Sequence, residues 1–323
     1  MKASAVPPCL AGVMALVFAA TPAPAQNYPS RPVRVIVPLP PGGAMDTVTR
    51  PVAQKLTESL GNNFIVDNRP GAGGSIALET AMAAAPDGYT LVAIGATTIV
   101  YPMLYKARFD VLRDFDPVCQ MTAQGYVLTV HTSLPVRSVP ALVQHLKANP
   151  GKLNYASSGI GGPIHLSGEL FMLATGTRIT HVPYKGMALA YADMLSGSVE
   201  LGFPTLVSSV PHLRANRLRA LAVTTPARVP SYPDLPTMSE AGVQGMVVTN
   251  WYGIVAPAST PRPVIERLNR EIAAAVRHPD MAKRLLADGS EAIGSTPEEF
   301  RSVMIADRDK WARLIRERGI RGQ

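Results

Sequence analysis

The chain has 323 residues, 47% hydrophobic and 17% charged, which suits two folded domains of ordinary size and excludes a disordered chain. Its 31 Lys and Arg against 23 Asp and Glu leave a charge of +8, yet the bases are scattered. The densest cluster, Arg308, Lys310, Arg313, Arg316, Arg318 and Arg321, alternates with Asp307, Asp309 and Glu317. That pattern is a solvated helix face, and no nucleic-acid partner is expected.

Residues 1–25 read as an export leader: Lys2, an apolar run over 10–20, and Ala23-Pro24-Ala25 as the cleavage signal, leaving Gln26 first. The run is too short to span a membrane. Cys9 follows Val6-Pro7-Pro8, a poor lipid-attachment context, and leaves with the leader. Cys119 is then alone, so no internal disulfide is expected, and its apolar surroundings make it an inert core residue.

Val35-Ile36-Val37 is a short buried strand, and Pro38 to Gly43 stops it. Val48, Val52, Leu56 and Leu60 are spaced four apart, which predicts a helix from Ala44 that stops at Gly61. Such a junction offers free backbone N–H groups and the positive end of a helix dipole to an anion. A strand at 63–66, a loop through Gly71-Ala72-Gly73-Gly74 and a helix over 75–85 follow. The strand at 89–94 ends in Gly95-Ala96-Thr97-Thr98. Three such passages predict an α/β fold with a parallel sheet whose ligand sits outside the carboxyl ends of the strands.

A strand at 127–130 and a helix over 139–148 precede a second series. It runs through the strand at 153–156, the loop Ser157-Ser158-Gly159-Ile160-Gly161-Gly162-Pro163 and a helix carrying His165. Strands at 179–182, 199–203 and 219–223 alternate with helices through Leu189 and Leu206. After a strand at 251–256 the chain reads as helix only, over 263–277, 279–287 and 297–318. We expect lobes joined near 124–129 and 247–251: 26–126 with 250–323 as one, 127–249 as the other, the residues after Trp251 packed on the first.

Enzyme templates fail in turn: there is no G-x-x-x-x-G-K-[ST], no G-x-S-x-G and no H-E-x-x-H. The six His are dispersed, so neither a metal nor a cofactor is expected. Asp46 and Asp193 fit capping or hinge bonds better than acid catalysis, and Lys185 fits a solvated loop or a partner to an acidic ligand. A second reading is a secreted hydrolase using Ser157 or Ser158 with His165. The Gly-, Ser- and Thr-rich strand ends favour the first: backbone donors that hold a carboxylate.

Tyr28-Pro29-Ser30-Arg31-Pro32, Pro40-Pro41-Gly42-Gly43 with Asp46, and Asn68-Arg69-Pro70-Gly71-Ala72-Gly73-Gly74 resemble the Bug family of TctC-type receptors. So do Ala85-Pro86-Asp87-Gly88-Tyr89, Pro150-Gly151-Lys152-Leu153-Asn154-Tyr155, His181-Val182-Pro183-Tyr184-Lys185-Gly186 and Leu218-Arg219-Ala220-Leu221-Ala222-Val223-Thr224. The resemblance covers nearly all of the chain after the leader. It implies a periplasmic solute-binding protein of tripartite tricarboxylate transporters: a two-lobed α/β clamshell, each lobe a sheet flanked by helices. It also implies a small carboxylate as ligand, aromatic ones and dicarboxylates included, either delivered to membrane permease subunits as partners or sensed; a monomer is expected. The matching ligand-binding positions are Leu39, Pro40, Gly42, Gly43, Ala44 and Asp46; Ala96, Thr97 and Thr98; Ser157, Ser158, Gly159, Gly161, Gly162 and His165. Tyr184, Lys185 and Gly186 follow, then Pro204 and Thr205. Leu39 stands where the family often has an aromatic, Ala44-Met45 where it has Ser-Thr, and Pro204-Thr205 where Asp with Ser or Asn is common. These departures imply a ligand with an apolar or aromatic body in place of an amino acid.

Overall fold

A computed structural model describes residues 28–287 and 289–322; the expected leader and its cleavage point lie outside them. β1 (Val33–Val37) leads into α1 (Ala44–Leu60), which closes on Gly61 in the left-handed conformation. β2 (Phe64–Asn68) is followed by a 3-10 turn (Ala72–Gly74) and α2 (Ser75–Met82). β3 (Thr90–Gly95) runs directly into α3 (Ala96–Leu104), and the short α4 (Val111–Asp114) precedes β4 (Phe115–Gly125). In the middle stand β5 (Val127–His131), α5 (Val139–Ala148), β6 (Asn154–Ser157), α6 (Pro163–Thr175), β7 (Thr180–Pro183) and α7 (Met187–Ser196). β8 (Leu201–Gly202), α8 (Leu206–Arg214) and β9 (Leu218–Val223) complete that half. β10 (Thr249–Pro257), α9 (Arg262–Arg277), α10 (Pro279–Ala287), β11 (Glu291–Ala292) and α11 (Pro297–Arg318) end the chain.

These strands form two sheets, β11-β4-β10-β3-β1-β2 and β7-β6-β8-β5-β9, flanked by helices in an α/β fold of two lobes. Neither sheet is purely parallel, as the strand–helix alternation alone suggested. β10 runs antiparallel between β3 and β4, and β5 runs antiparallel between β8 and β9. Both arise where the chain passes from one sheet to the other, so a returning strand enters against the direction of its neighbours. The parallel sets β1–β3 and β6–β8 remain, and each aims the carboxyl ends of its strands at one edge.

The two passages run side by side. Tyr126 separates β4 from β5, and Val248 precedes β10. Buried Thr224 ties them: its N–H donates to Tyr126 O at 2.9 Å, its hydroxyl donates to Val248 O at 2.5 Å, and it accepts the Tyr126 N–H at 3.0 Å. Cys119 lies in β4 with no exposure, and burial pushes its thiol up to about 12.

The helical tail departs from expectation. Phe300 and Met304 of α11 join the core under the first sheet with Ile36, Val92 and Trp251. Trp311, Leu314 and Ile315, further along the same helix, join the second core with Leu128, Tyr155 and Phe171. The reason is length: 22 residues at about 1.5 Å each reach roughly 33 Å, and one apolar stripe continues along them. Between the two halves, Asp307 accepts the Trp251 indole N–H at 2.7 Å and pairs with Lys310 at 2.7 Å. Arg318 reaches Glu169 of α6 at 2.7 Å. Arg308, Arg313 and Arg316 stay on the solvated face.

Candidate functional site

Six helices follow parallel strands, and none of them begins with a side-chain cap: α1, α2, α3, α6, α7 and α8. Elsewhere α4, α5 and α11 are capped by Asp110, Ser138 and Thr296, while α9 opens on Pro261 without a cap. A helix start leaves its first N–H groups without intrahelical partners, and a capping side chain ordinarily takes one of them. At the carboxyl edges of both sheets those donors stay open. Among the described residues the amides of Ala44, Met45, Thr97, Gly162 and Ile164 have no protein acceptor.

The first loop is held from behind. Buried Asp46 accepts the Gly42 N–H at 3.0 Å, Asn68 at 3.0 Å and Arg50 at 2.7 Å. Burial works to raise its carboxyl, but the hydrogen bonds from Arg50, Gly42 and Asn68 and the charge of Arg50 outweigh it and leave it below the usual carboxylate range. Asp46 is therefore a brace, with its oxygens committed to the protein. The Gly43 N–H is also occupied, by Pro40 O at 3.2 Å, so the open donors fall at Ala44 and Met45, after the glycines. The Met45 side chain points into the core, away from the cleft.

The second lobe braces its loop with stacked rings. Ser157 has no exposure; its hydroxyl lies 2.6 Å from His181 Nε2 and accepts the Gly159 N–H at 3.1 Å. His165 Nδ1 accepts the Gly161 N–H at 3.0 Å, and its ring stacks on His181 with centroids 4.0 Å apart. Tyr155 closes the stack and donates to Glu169 at 3.2 Å. This geometry does not support the hydrolase reading of Ser157 or Ser158 with His165. Ser157 is paired with His181, it is sealed from solvent, and His165 has its Nδ1 committed to a backbone amide.

That bond requires neutral His165, because protonated Nδ1 would face the Gly161 N–H donor to donor. Burial lowers His165 to about 4; burial, then the neighbouring His165 charge, lowers His181 to about 4, against an opposing pull from Glu169. Both folded values lie below the ordinary ~6.5, so the contribution to stability is complete above that pH and is lost as pH falls toward 4. Unfolding should take up protons in that window, with a slope of about 1.4 kcal/mol per pH unit for each histidine. Denaturant titrations between pH 7 and 4 measure it. A flat profile would mean that the rings are not held neutral.

A cavity of about 220 Å³ lies between the lobes. Thr97, Val100, Tyr101, Leu104 and Tyr105 form its first-lobe wall, and Ser158 to Pro163 form the facing wall. A larger hollow of about 1000 Å³, around Tyr28, Asn62 and Arg267, lies at the amino edge of the first sheet and is lined from one lobe only. The smaller one is the candidate site, because it alone of these two joins the helix starts of both lobes.

Of the expected positions, the cavity gathers Thr97, Ser158, Gly159, Gly161 and Gly162. Ala96 and Thr98 are buried, and the Thr98 hydroxyl accepts the Gly95 N–H at 3.3 Å. Leu39, Pro40, Gly42, Gly43 and Ala44 stand in their own loop outside its lining. Ser157 and His165 sit behind the loop they brace. The Tyr184 hydroxyl donates to Asp193 at 2.6 Å, and burial with that carboxylate pushes its phenol up to about 12. Lys185 is exposed and Gly186 starts α7. Pro204 and Thr205 belong to the crossing: the Pro204 carbonyl accepts the Val127 N–H at 2.9 Å, and the Thr205 hydroxyl donates to Ser208 at 2.9 Å.

Sequence reasoning missed Val100, Tyr101, Leu104 and Tyr105, because it assigned no helix there. The segment Ala96–Leu104 carries Pro102 and the β-branched Thr97, Thr98, Ile99 and Val100, which argue against a helix. The available signal was the i, i+4, i+8 spacing of Thr97, Tyr101 and Tyr105.

Two mixed α/β lobes, tied at a double crossing and enclosing a cavity between their helix starts, are the build of a two-lobed solute-binding protein. The chain belongs to the TctC family, described as the tripartite tricarboxylate transporter family receptor, which matches residues 48–320. BugT of Bordetella pertussis is 35% identical over 303 residues, covering 93% of this chain and 93% of that protein. Among solved structures, R. palustris Rpa4515 with adipate is 35% identical, with a TM-score of 0.77 over 92% of this chain and 100% of that one. MatC of Rhodopseudomonas palustris with bound malate is 28% identical, with a TM-score of 0.72 over 89% of this chain and 100% of that one.

Proposed function

We propose that the protein is a receptor, not an enzyme, that captures a small organic carboxylate between two lobes, 26–126 with 250–323 and 127–249, the last turns of α11 reaching from the first onto the second. The carrying observation is the set of uncapped helix starts at both carboxyl edges, whose open N–H donors and dipoles suit an anion. Each such helix start contributes about 0.3–1 kcal/mol, and several donors with burial bring micromolar affinity, roughly −8 kcal/mol, within reach. The hydroxyls of Thr97 and Ser158 and the backbone of 159–162 are the proposed contacts in the cavity. The loop 39–44 and the segment 184–186 are proposed to approach on closure. The adipate and malate in the solved relatives support a carboxylate. Family membership supports export to the periplasm and delivery to membrane permease subunits; cleavage after about Ala25 and a monomeric state are proposed with them. Among the described residues no helix is long and apolar enough to cross a membrane.

Ligand that touches both lobes binds the closed state best and stabilises the native fold, by about 2.7 kcal/mol at 100 times Kd. A thermal-shift screen at about 100 times Kd should therefore show rises of roughly 5–11 °C with mono- and dicarboxylates. Their amides should give none, because open N–H donors select the anion, and amino acids should be poor ligands. A neutral sugar, a nucleotide or a cationic amine as best hit would overturn the reading.

A further inference from the structure

The candidate site has an aromatic wall that the helix starts do not explain. Tyr101 stacks on Tyr105 with centroids 4.9 Å apart and an interplanar angle of 28°, and lies near parallel to Phe109 at 6.4 Å. Gly73 backs the ring: its φ is +63°, and a Cβ there would stand 2.2 Å from Tyr101 Cε2. The ring is thus fixed by three neighbours before any ligand arrives. Neither the Tyr101 nor the Tyr105 hydroxyl has a protein partner among the described residues, so stacking and not hydrogen bonding sets their place. Opposite them runs the backbone-rich loop of Ser158 to Gly162, and among the described residues no Asp, Glu, Lys, Arg or His lines the cavity.

A slot with a ring-lined apolar wall facing a backbone wall fits a flat body. Its volume, about 220 Å³, is below the roughly 300–1,000 Å³ of sites for drug-sized ligands, which suits a body of about one ring. A second carboxylate would find no basic side chain in the lining to offset its desolvation, only neutral hydroxyls such as those of Tyr101 and Tyr105. We propose that Tyr101, with Leu104 and Tyr105, reads the body of the ligand and selects a monocarboxylate with a flat apolar body; this rests on the carboxylate reading above. Tyr101 then acts as a specificity-determining residue that packs on the ligand through its ring.

Calorimetric titration with benzoate and adipate, on wild type, Tyr101→Ala and Tyr101→Phe, tests it, with melting curves to confirm that each variant is folded. Wild type should bind benzoate at least about tenfold tighter than adipate. Tyr101→Ala should weaken benzoate by about tenfold and adipate by less than about threefold, while Tyr101→Phe keeps benzoate within about threefold. Adipate binding as tightly as benzoate, equal losses for both ligands in Tyr101→Ala, or Phe behaving like Ala would each overturn the proposal and leave the carboxylate reading standing. If neither compound nor any other carboxylate binds wild type, both fall together.

Discussion

Gly161→Val is expected to remove ligand binding, with affinity reduced by about a hundredfold or more, in a protein that remains folded. Two independent costs combine at this position. Gly161 has φ +77°, where a β-branched residue is strained by on the order of 1–3 kcal/mol. A Cβ there would also stand 2.2 Å from Leu104 Cδ1 on the other lobe, so the added bulk pushes the loop away from α3. Overpacking of that kind costs about 1–3 kcal/mol, and it acts on the closed arrangement, the state that makes contacts from both sides. Gly162→Val, also in the cavity lining, separates the strain and the clash from simple bulk in the site. Its φ is −71° and a Cβ there would sit 3.6 Å from Gly159 O, an ordinary contact, so the loss should stay below about tenfold. Leu104→Ala should recover part of the Gly161→Val loss, because it removes the clash but not the strained φ; a coupling of about 0.5–3 kcal/mol is expected between such neighbours. Full binding by Gly161→Val, or equal losses at Gly161 and Gly162, would show that the loop does not close on α3.

Most elements of both lobes can be read from the chain. The helix over 139–148 has clear periodicity and a Ser138 cap, and the structure gives Val139–Ala148. The loops at strand ends can likewise be read, because Pro38 interrupts the β-branched run Val35–Val37 and a Ser- and Gly-rich stretch follows the strand before Gly159. Three things are not legible, each for a physical reason. β4 contains Pro117 and Gln120 and is buried on both sides with no alternation, so its sequence lacks a period. α3 is assembled from residues of poor helix propensity, which packing against β3, β10 and α11 overrides. The division of labour in the site also escapes the sequence. Ser157, His165 and Asp46 have the chemistry of ligand contacts, and only their partners, His181, Gly161 and Arg50, show them to be braces.

Trp311→Ala should destabilise the protein by about 3–5 kcal/mol, the usual cost of deleting a buried large aromatic. Trp311 is 1% exposed and packs in the second lobe's core, although its helix starts on the first. Its indole Nε1 has no hydrogen-bond partner among the described residues, so the loss is one of packing. Trp311→Phe should therefore retain most of the stability, whereas a hydrogen-bonding role would make Phe nearly as costly as Ala. At about 2–4 °C per kcal/mol the Ala variant should melt roughly 6–20 °C lower. Position also determines which lobe suffers. Phe300, eleven residues earlier on α11, packs under the first sheet, so Phe300→Ala should loosen the first lobe. Hydrogen exchange reads the difference: faster exchange in β5, β6 and α6 for Trp311→Ala, and in β1, β3 and α2 for Phe300→Ala. A shared pattern of exchange in both variants would mean that the lobes unfold as one unit and that α11 does not divide between them. The same helix that fixes both cores leaves the passages at Tyr126 and Val248 as the place where the lobes turn, and Thr224 is the side chain that joins them there.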